Sequence, residues 1–243
     1  MRLDKFLADH EIGTRSEVKK ILAKGCVCVN GLIIKDPKTQ VTNTDQISVS
    51  GMLIETDTKK RYYMFHKPAG CVSAKTDACE QTVMDFFRNE PRWQELCIVG
   101  RLDKDTEGLL IVTDDGAYCH TLISPKKHIP KTYYFETDAP LCEEAEKIAG
   151  EGMTLRDKTK CSPAKLEMID ESKGMLTIYE GAYHQVKRMV SALGGHVCYL
   201  KRMSIGNLML DESLPIGTYR RMTEEETWQA ICQSPKKNSY SKI

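Results

Sequence analysis

Residues 100–110, Gly-Arg-Leu-Asp-Lys-Asp-Thr-Glu-Gly-Leu-Leu, set one aspartate, Asp103, on a polar, glycine-bounded turn that feeds the apolar run Leu109-Leu110-Ile111-Val112. A strand after such a turn fixes the backbone, and the turn lifts a carboxylate to a rim where a ligand can reach it. A carboxylate so placed suits nucleophilic or acid–base work. The competing reading is a polar hairpin with solvated charges, and this segment alone does not choose between them. Spacing also permits a calcium loop, with Asp103, Asp105, Glu107 and Gly108 at positions 1, 3, 5 and 6 and Asp114 at position 12. Aspartate is short for the bidentate closure usual at the last of these, and the residues between are too apolar and strand-like to wrap an ion. No metal site is expected.

Cations gather in four further places. Arg15, Lys19, Lys20 and Lys24 lie on one predicted helix, with Arg2 and Lys5 on the helix before it. On the second of these helices only Glu17 interrupts them, whereas a merely solvated face would carry both signs, so phosphate contact is expected. Residues 126–134, Lys-Lys-His-Ile-Pro-Lys-Thr-Tyr-Tyr, run from Lys126, Lys127 and Lys131 into two aromatics. Such a segment suits RNA, whose phosphates meet the cations and whose unstacked bases lie on the rings. One of the two tyrosines should be core, because neighbouring strand positions face opposite ways. Residues 180–189, Glu-Gly-Ala-Tyr-His-Gln-Val-Lys-Arg-Met, close a strand and open a helix. There Lys187 and Arg188 oppose the helix dipole, which is tolerated when the cation has an anionic partner, carboxylate or phosphate. His184 alone reads as structural. Tyr199-Leu200-Lys201-Arg202 adds a basic exit to a later strand.

The elements that must position these residues fall into two groups. Leu3, Phe6 and Leu7 are spaced for a short amphipathic helix. Thr14 and Glu17 form a capping box for a second helix that buries Val18, Ile21 and Leu22 and ends at Gly25. Strands at 26–29 and 32–34 flank Asn30-Gly31, a strong hairpin signal, and residues 46–49 alternate as another strand. Polar residues 55–61 read as a linker. Beyond it, strands are predicted at 62–66, 97–100, 109–113, 132–137, 164–169, 175–180 and 197–203, and helices at 81–88, 116–123, 140–149, 183–193 and 223–232. Without βαβ regularity this is an α+β fold on a mixed, mainly antiparallel sheet with flanking helices. Residues 1–58 and 59–233 are read as two domains and 234–243 as a disordered tail.

Composition narrows the class. The chain has 243 residues, 41% hydrophobic and 28% charged, with net charge +1, so any nucleic-acid affinity must come from local patches. No apolar run approaches the roughly 20 residues of a membrane span, and the first residues lack a signal peptide's apolar core. The ten cysteines are scattered, with no C-x-x-C pair, so reduced thiols in a cytoplasmic protein are expected.

Taken together, the motif at 100–110, Lys67-Pro68-Ala69-Gly70, Lys131-Thr132-Tyr133, residues 180–189 and Leu200-Lys201-Arg202 resemble, in order, the bacterial ribosomal RNA pseudouridine synthases. The N-terminal unit resembles an S4 RNA-binding domain. The resemblance spans residues 1 to about 225 and is nearest to the branch acting on small-subunit (16S) rRNA, with large-subunit (23S) rRNA the near alternative. It implies Asp103 as the catalytic aspartate, Tyr133 against the target base, Lys187 as the cation pairing with the aspartate, and Leu200 in the pocket. It also implies RNA contacts from Arg2, Lys5, Arg15, Lys19, Lys20, Lys24, Arg101, Lys126, Lys127, Lys131 and Arg188. The reaction is an isomerisation, so no cofactor is expected. The implied partner is rRNA, naked or within a pre-ribosomal particle, met by a monomer without membrane association. Three positions depart from the family pattern: His66 where Asn is common, Asp114 for a usual Asn, and Ala182 for a basic residue. A non-catalytic S4-type ribosome-assembly protein would explain the patches but not a single aspartate beside a pairing cation. A two-carboxylate glycoside hydrolase would need a second acid facing Asp103.

Overall fold

A computed structural model describes residues 1–10, 12–42, 44–54 and 60–232. Contacts divide the chain into two compact units between Lys60 and Arg61. The predicted linker lies mostly, and the predicted tail wholly, outside the described residues.

The first unit runs α1 (Leu3–Asp9), α2 (Arg15–Ala23), β1 (Val27–Val29), β2 (Leu32–Ile33), β3 (Ile47–Val49) and β4 (Met52–Leu53). The capping box forms as expected: the Glu17 amide donates to Thr14 Oγ1 at 3.3 Å, and Glu17 Oε2 accepts from the Thr14 amide at 2.8 Å. Asn30 and Gly31 both have positive φ, 51° and 82°, which is what a tight two-residue hairpin turn needs. The sheet order is β2-β1-β3-β4, and Leu3, Phe6, Leu7, Val18, Leu22, Val27 and Ile47 form the core, with Ile21 packed against it.

The second unit continues with β5 (Tyr62–Lys67), β6 (Cys97–Val99), β7 (Glu107–Thr113), α3 (Gly116–Ile123), β8 (Lys131–Thr137), α4 (Ala145–Glu151), β9 (Met153–Thr154), β10 (Lys160–Cys161), β11 (Lys165–Met168), β12 (Lys173–Ile178), α5 (Gln185–Ala192), β13 (Val197–Ile205), β14 (Leu208–Met209), β15 (Tyr219–Arg221) and α6 (Glu224–Ile231). The main sheet has the order β11-β12-β8-β13-β7-β5-β15, with β14 on β13 and β6 on β7. Among the described residues its pairings are antiparallel except β13 with β7, which is parallel. The fold is α+β on a mixed, mainly antiparallel sheet.

The apolar run in β7 is continuous because both faces of the strand are covered. Leu110 and Val112 join Tyr63, Phe65, Phe135, Leu176 and Met189 in one core, while Leu109 and Ile111 join Met64, Tyr118, Leu122, Ile205 and Ala230 in the other.

Two predicted helices differ. Residues 81–88 form a five-residue 3₁₀ helix, Val83–Phe87, held back by a Val83 amide that donates to the Val72 carbonyl at 3.0 Å. The helix predicted at 140–149 starts only at Ala145, because the Cys142 amide is tied to the Leu193 carbonyl at the end of α5, 2.9 Å away. Several short strands, β4, β9, β10, β14 and β15, have no counterpart in the prediction, since two or three residues carry no readable period.

Candidate active site

Asp103 lies in the loop entering β7, and that loop is pinned along its backbone. The Thr106 amide donates to the Asp103 carbonyl at 3.1 Å and the Gly70 amide to the Lys104 carbonyl at 2.7 Å. Ser73 Oγ donates to the Leu102 carbonyl at 2.7 Å and accepts from the Leu102 amide at 3.0 Å. Beneath it, Lys67 is fully buried, and its Nζ donates to the carbonyls of Pro68, Asp103, Lys104 and Thr106 at 3.0, 3.0, 3.3 and 2.9 Å. Burial draws the Lys67 pKa below the ordinary lysine value, against the nearby Cys71, Asp105 and Asp103. The Lys-Pro motif thus works through its ammonium group as a clamp on the loop backbone. Ser73, which no sequence motif flagged, does the same from the other side.

The parallel pairing of β7 with β13 sets the second half of the site. Gly108 is opposite Arg202, and Arg202 is opposite Tyr133 on β8, so the three form a row across the sheet. Gly108 has φ +107°, and a Cβ there would stand 2.3 Å from the Arg202 carbonyl oxygen. Only glycine lets the strands meet at this point. Tyr133 is buried, the Arg202 guanidinium carbon lies 6.0 Å from its ring centre, and Leu200 is buried beside it. Tyr133 is therefore the inward member of the tyrosine pair. Its neighbour Tyr134 is half-buried and donates to Glu136 at 2.5 Å.

Helix α5 closes the pocket. Lys187 Nζ lies 3.2 Å from Asp103 Oδ2 and 2.6 Å from Asp105 Oδ1. Burial pulls the Lys187 pKa down, but the bond to Asp105 and the charge of Asp103 outweigh it, and the net shift is upward. Partial burial likewise raises Asp105, yet the Lys187 bond leaves it below the ordinary aspartate value. His184 Nε2 is 3.4 Å from Asp103 Oδ1. Asp103 and Asp105 answer Lys187, one of the two cations that oppose the dipole of α5. Asp105, which spacing offered only as a calcium-loop position, shares Lys187 with Asp103, and His184, read as structural, touches the Asp103 carboxylate. Neither contact was legible from spacing, because the partners lie about 80 residues apart in the chain. Nor do the four carboxylates of the calcium pattern converge: Glu107 accepts from Tyr199 at 2.8 Å and Asp114 pairs with Arg61 at 2.7 Å.

Asp103, Tyr133, Lys187 and Leu200 line one small open pocket with Ile178 and His184. It is continuous through Arg101, Asp103 and Tyr133 with a groove of about 670 Å³. Of the expected RNA contacts, Arg101 and Lys131 line that groove. Lys126 and Lys127 are exposed on the 3₁₀ turn Pro125–Lys127 beside it. Arg188 turns inward instead. Its guanidinium pairs with Asp157 and donates to Thr159 Oγ1 at 3.1 Å and the Tyr183 carbonyl at 3.0 Å. In the first unit Lys5, Arg15, Lys19, Lys20 and Lys24 are exposed, while Arg2 is held by both oxygens of Asp4 at 3.0 and 2.7 Å.

The three departures have local accounts. His66 is buried with Nδ1 2.8 Å from the Leu214 carbonyl. Asp114 accepts from the Arg61 amide as well as its side chain. The Ala182 amide donates to Gln185 Oε1 at 2.9 Å, at the start of α5.

Comparison with known proteins identifies the family. The RNA pseudouridylate synthase family model matches residues 61–192, and the S4 domain model matches residues 1–47. Ribosomal small subunit pseudouridine synthase A of Haemophilus influenzae is 42% identical over 227 residues, covering 93% of this chain and 97% of its own. The Escherichia coli protein of the same name is 37% identical, with 93% and 98% covered. A crystal structure of a pseudouridylate synthase superposes with a TM-score of 0.68 at 41% identity, covering 95% of this chain and 99% of its own. The chain belongs to the RNA pseudouridylate synthase family.

Proposed function

We propose that this protein converts a specific uridine of small-subunit (16S) rRNA to pseudouridine in the cytoplasm, with Asp103 as the catalytic residue. The reaction breaks the N1–C1′ bond, turns the base and joins C5 to C1′. One proton leaves C5 and one is gained at N1, so the atoms balance without an oxidant or an energy source. An ionised Asp103 is required whether it attacks C1′ or takes a proton from the sugar, and the Lys187 ammonium stands 3.2 Å from its carboxylate. Tyr133, with Leu200 beside it, supplies a face for the base. The target must leave its stack to enter, at a cost of a few kcal/mol, which contacts from the groove cations and from Arg15, Lys19, Lys20 and Lys24 would offset.

One observation carries this reading: a partly exposed aspartate whose backbone is clamped by a buried lysine and whose carboxylate faces Lys187, in a pocket floored by Tyr133. A second acid poised across the pocket, as a glycoside hydrolase needs, is missing among the residues that line it. The experiment is incubation with unmodified 16S and 23S transcripts carrying 5-tritiated uridine, followed by mapping of pseudouridine. Tritium release and one modified position in 16S rRNA are expected. Asp103→Asn should bind the RNA and release at least about 10³-fold less tritium, a loss of the order seen when a group essential to the chemistry is removed. Normal release by that variant would sink the assignment, and modification of 23S rRNA alone would move the substrate to the large subunit.

A further inference from the structure

The groove that continues the pocket offers about 670 Å³, room enough for one small molecule by itself, beside the pocket that Lys187 and Leu200 line with Asp103. Its walls are cationic at Arg101 and Lys131 and aromatic at Tyr179 and Tyr183, with Glu180 also in the lining and Lys104 paired with Glu80 at 2.7 Å.

Tyr183 is the unexplained member of this lining. Its residue is 78% exposed, more than any other large apolar side chain among the described residues. Yet it is not loosely placed. Its ring stacks on His184 with centres 3.8 Å apart and planes 18° from parallel. Its carbonyl accepts from Arg188, which is anchored on Asp157 and Thr159. His184 in turn has a left-handed backbone, φ 49°, and its Nε2 faces Asp103. A non-glycine residue in that conformation is unfavourable by about 1–3 kcal/mol and persists only where surroundings enforce it. The chain thus holds an aromatic ring flat on one side, open on the other, and one imidazole away from the candidate catalytic carboxylate.

We propose that the open face of Tyr183 is a second base subsite, stacking on the unpaired base of a nucleotide adjacent to the target uridine. This rests on the proposed function above. A planar apolar face wants a planar apolar partner, and unpaired bases are the planar groups that come with phosphates for Arg101 and Lys131. Stacking tolerates any base, so the subsite selects an unpaired neighbour rather than a sequence. The ladder of base, Tyr183 and His184 ends on Asp103, so a filled subsite also holds the imidazole in place against the carboxylate.

The test uses the intact protein and a short 16S fragment bearing the uridine that the wild type converts, with the base of each flanking nucleotide removed in turn. For the wild type, one abasic position should lower kcat/KM by about 5- to 150-fold, the range for loss of one stacked base. Tyr183→Leu keeps bulk without a flat face. It should lose a similar factor on intact RNA and little more on the abasic RNA. Tyr183→Trp should regain sensitivity to the missing base. If the leucine and abasic losses multiply, or if no abasic position affects the wild type, the subsite is refuted while the proposed reaction stands. If the wild type modifies no rRNA, the reading beneath it fails first.

Discussion

Two lysines hold the Asp103 loop, and they do so in opposite ways. Lys67 is sealed beneath it and bonds only to backbone carbonyls. Lys187 reaches in from α5, keeps 23% of its side chain exposed, and bonds only to carboxylates. Burial depresses the first, whereas its anionic partners raise the second. The contrast separates two requirements that a reactive aspartate must meet. Its backbone has to stay in one place, which a dry, permanent clamp achieves. Its charge has to respond to an incoming nucleoside, which needs a partner near solvent.

Removing the buried clamp should have the larger effect. Lys67→Met takes the shared donor from four carbonyls; those of Asp103 and Lys104 keep an amide donor, and each group left orphaned costs about 1–3 kcal/mol. Loss of about 3 kcal/mol or more of stability is expected, read as a lower urea midpoint. Tritium release should fall by about 10²-fold or more, since small displacements of a reacting group cost that much. A variant that folds and reacts normally would show that the loop holds its shape without the ammonium.

Lys187→Ala tests the other half and should split the two readouts. An ion pair this open to solvent contributes about 0–1 kcal/mol, so the urea midpoint should barely move. Catalysis should drop by about 10²–10³-fold, the usual cost of deleting one preorganised electrostatic partner. Lys187→Arg should recover most of it. Destabilisation comparable to that of Lys67→Met would erase the distinction between the two cations.

This contrast also explains what could be read from the sequence. The capping box at Thr14 and Glu17, the Asn30-Gly31 hairpin, the strand after the Asp103 turn and the helix at Gly116–Ile123 are local patterns, and the structure has them. Asp103, Tyr133, Lys187 and Leu200 were nominated by motif and do line one pocket. What escaped were contacts made by topology: Ser73 on Leu102, His184 on Asp103, and Lys187 shared with Asp105. Each depends on elements far apart in the chain meeting across the sheet. Arg188 shows the converse, since a cation whose partner could be carboxylate or phosphate is taken up by Asp157 and by the carbonyl of Tyr183. Helical position told which side chains are charged, but not which of them already have partners.

Lys131 offers the smallest and sharpest comparison, because it is a groove cation half withdrawn from water. Burial, with a further push from the Arg202 charge, lowers its pKa to about 8. The sign for folding follows from proton counting. Between about pH 8 and the ordinary lysine value the unfolded chain holds a proton that the folded chain has released, so this group makes stability rise with pH across that window. For RNA the sign is opposite, because a phosphate engages the protonated form. Raising the pH from 7 to 9 should therefore weaken binding of a 16S fragment by about tenfold through this residue alone. Lys131→Met should bind more weakly at pH 7 and lose that slope, its curve meeting the wild type's at high pH. Lys131→Arg should stay flat at the stronger level. Binding titrations at four or five pH values decide it: parallel slopes for wild type and Lys131→Met would mean that Lys131 faces no phosphate, and that the groove draws its RNA affinity from Arg101 and the exposed lysines instead.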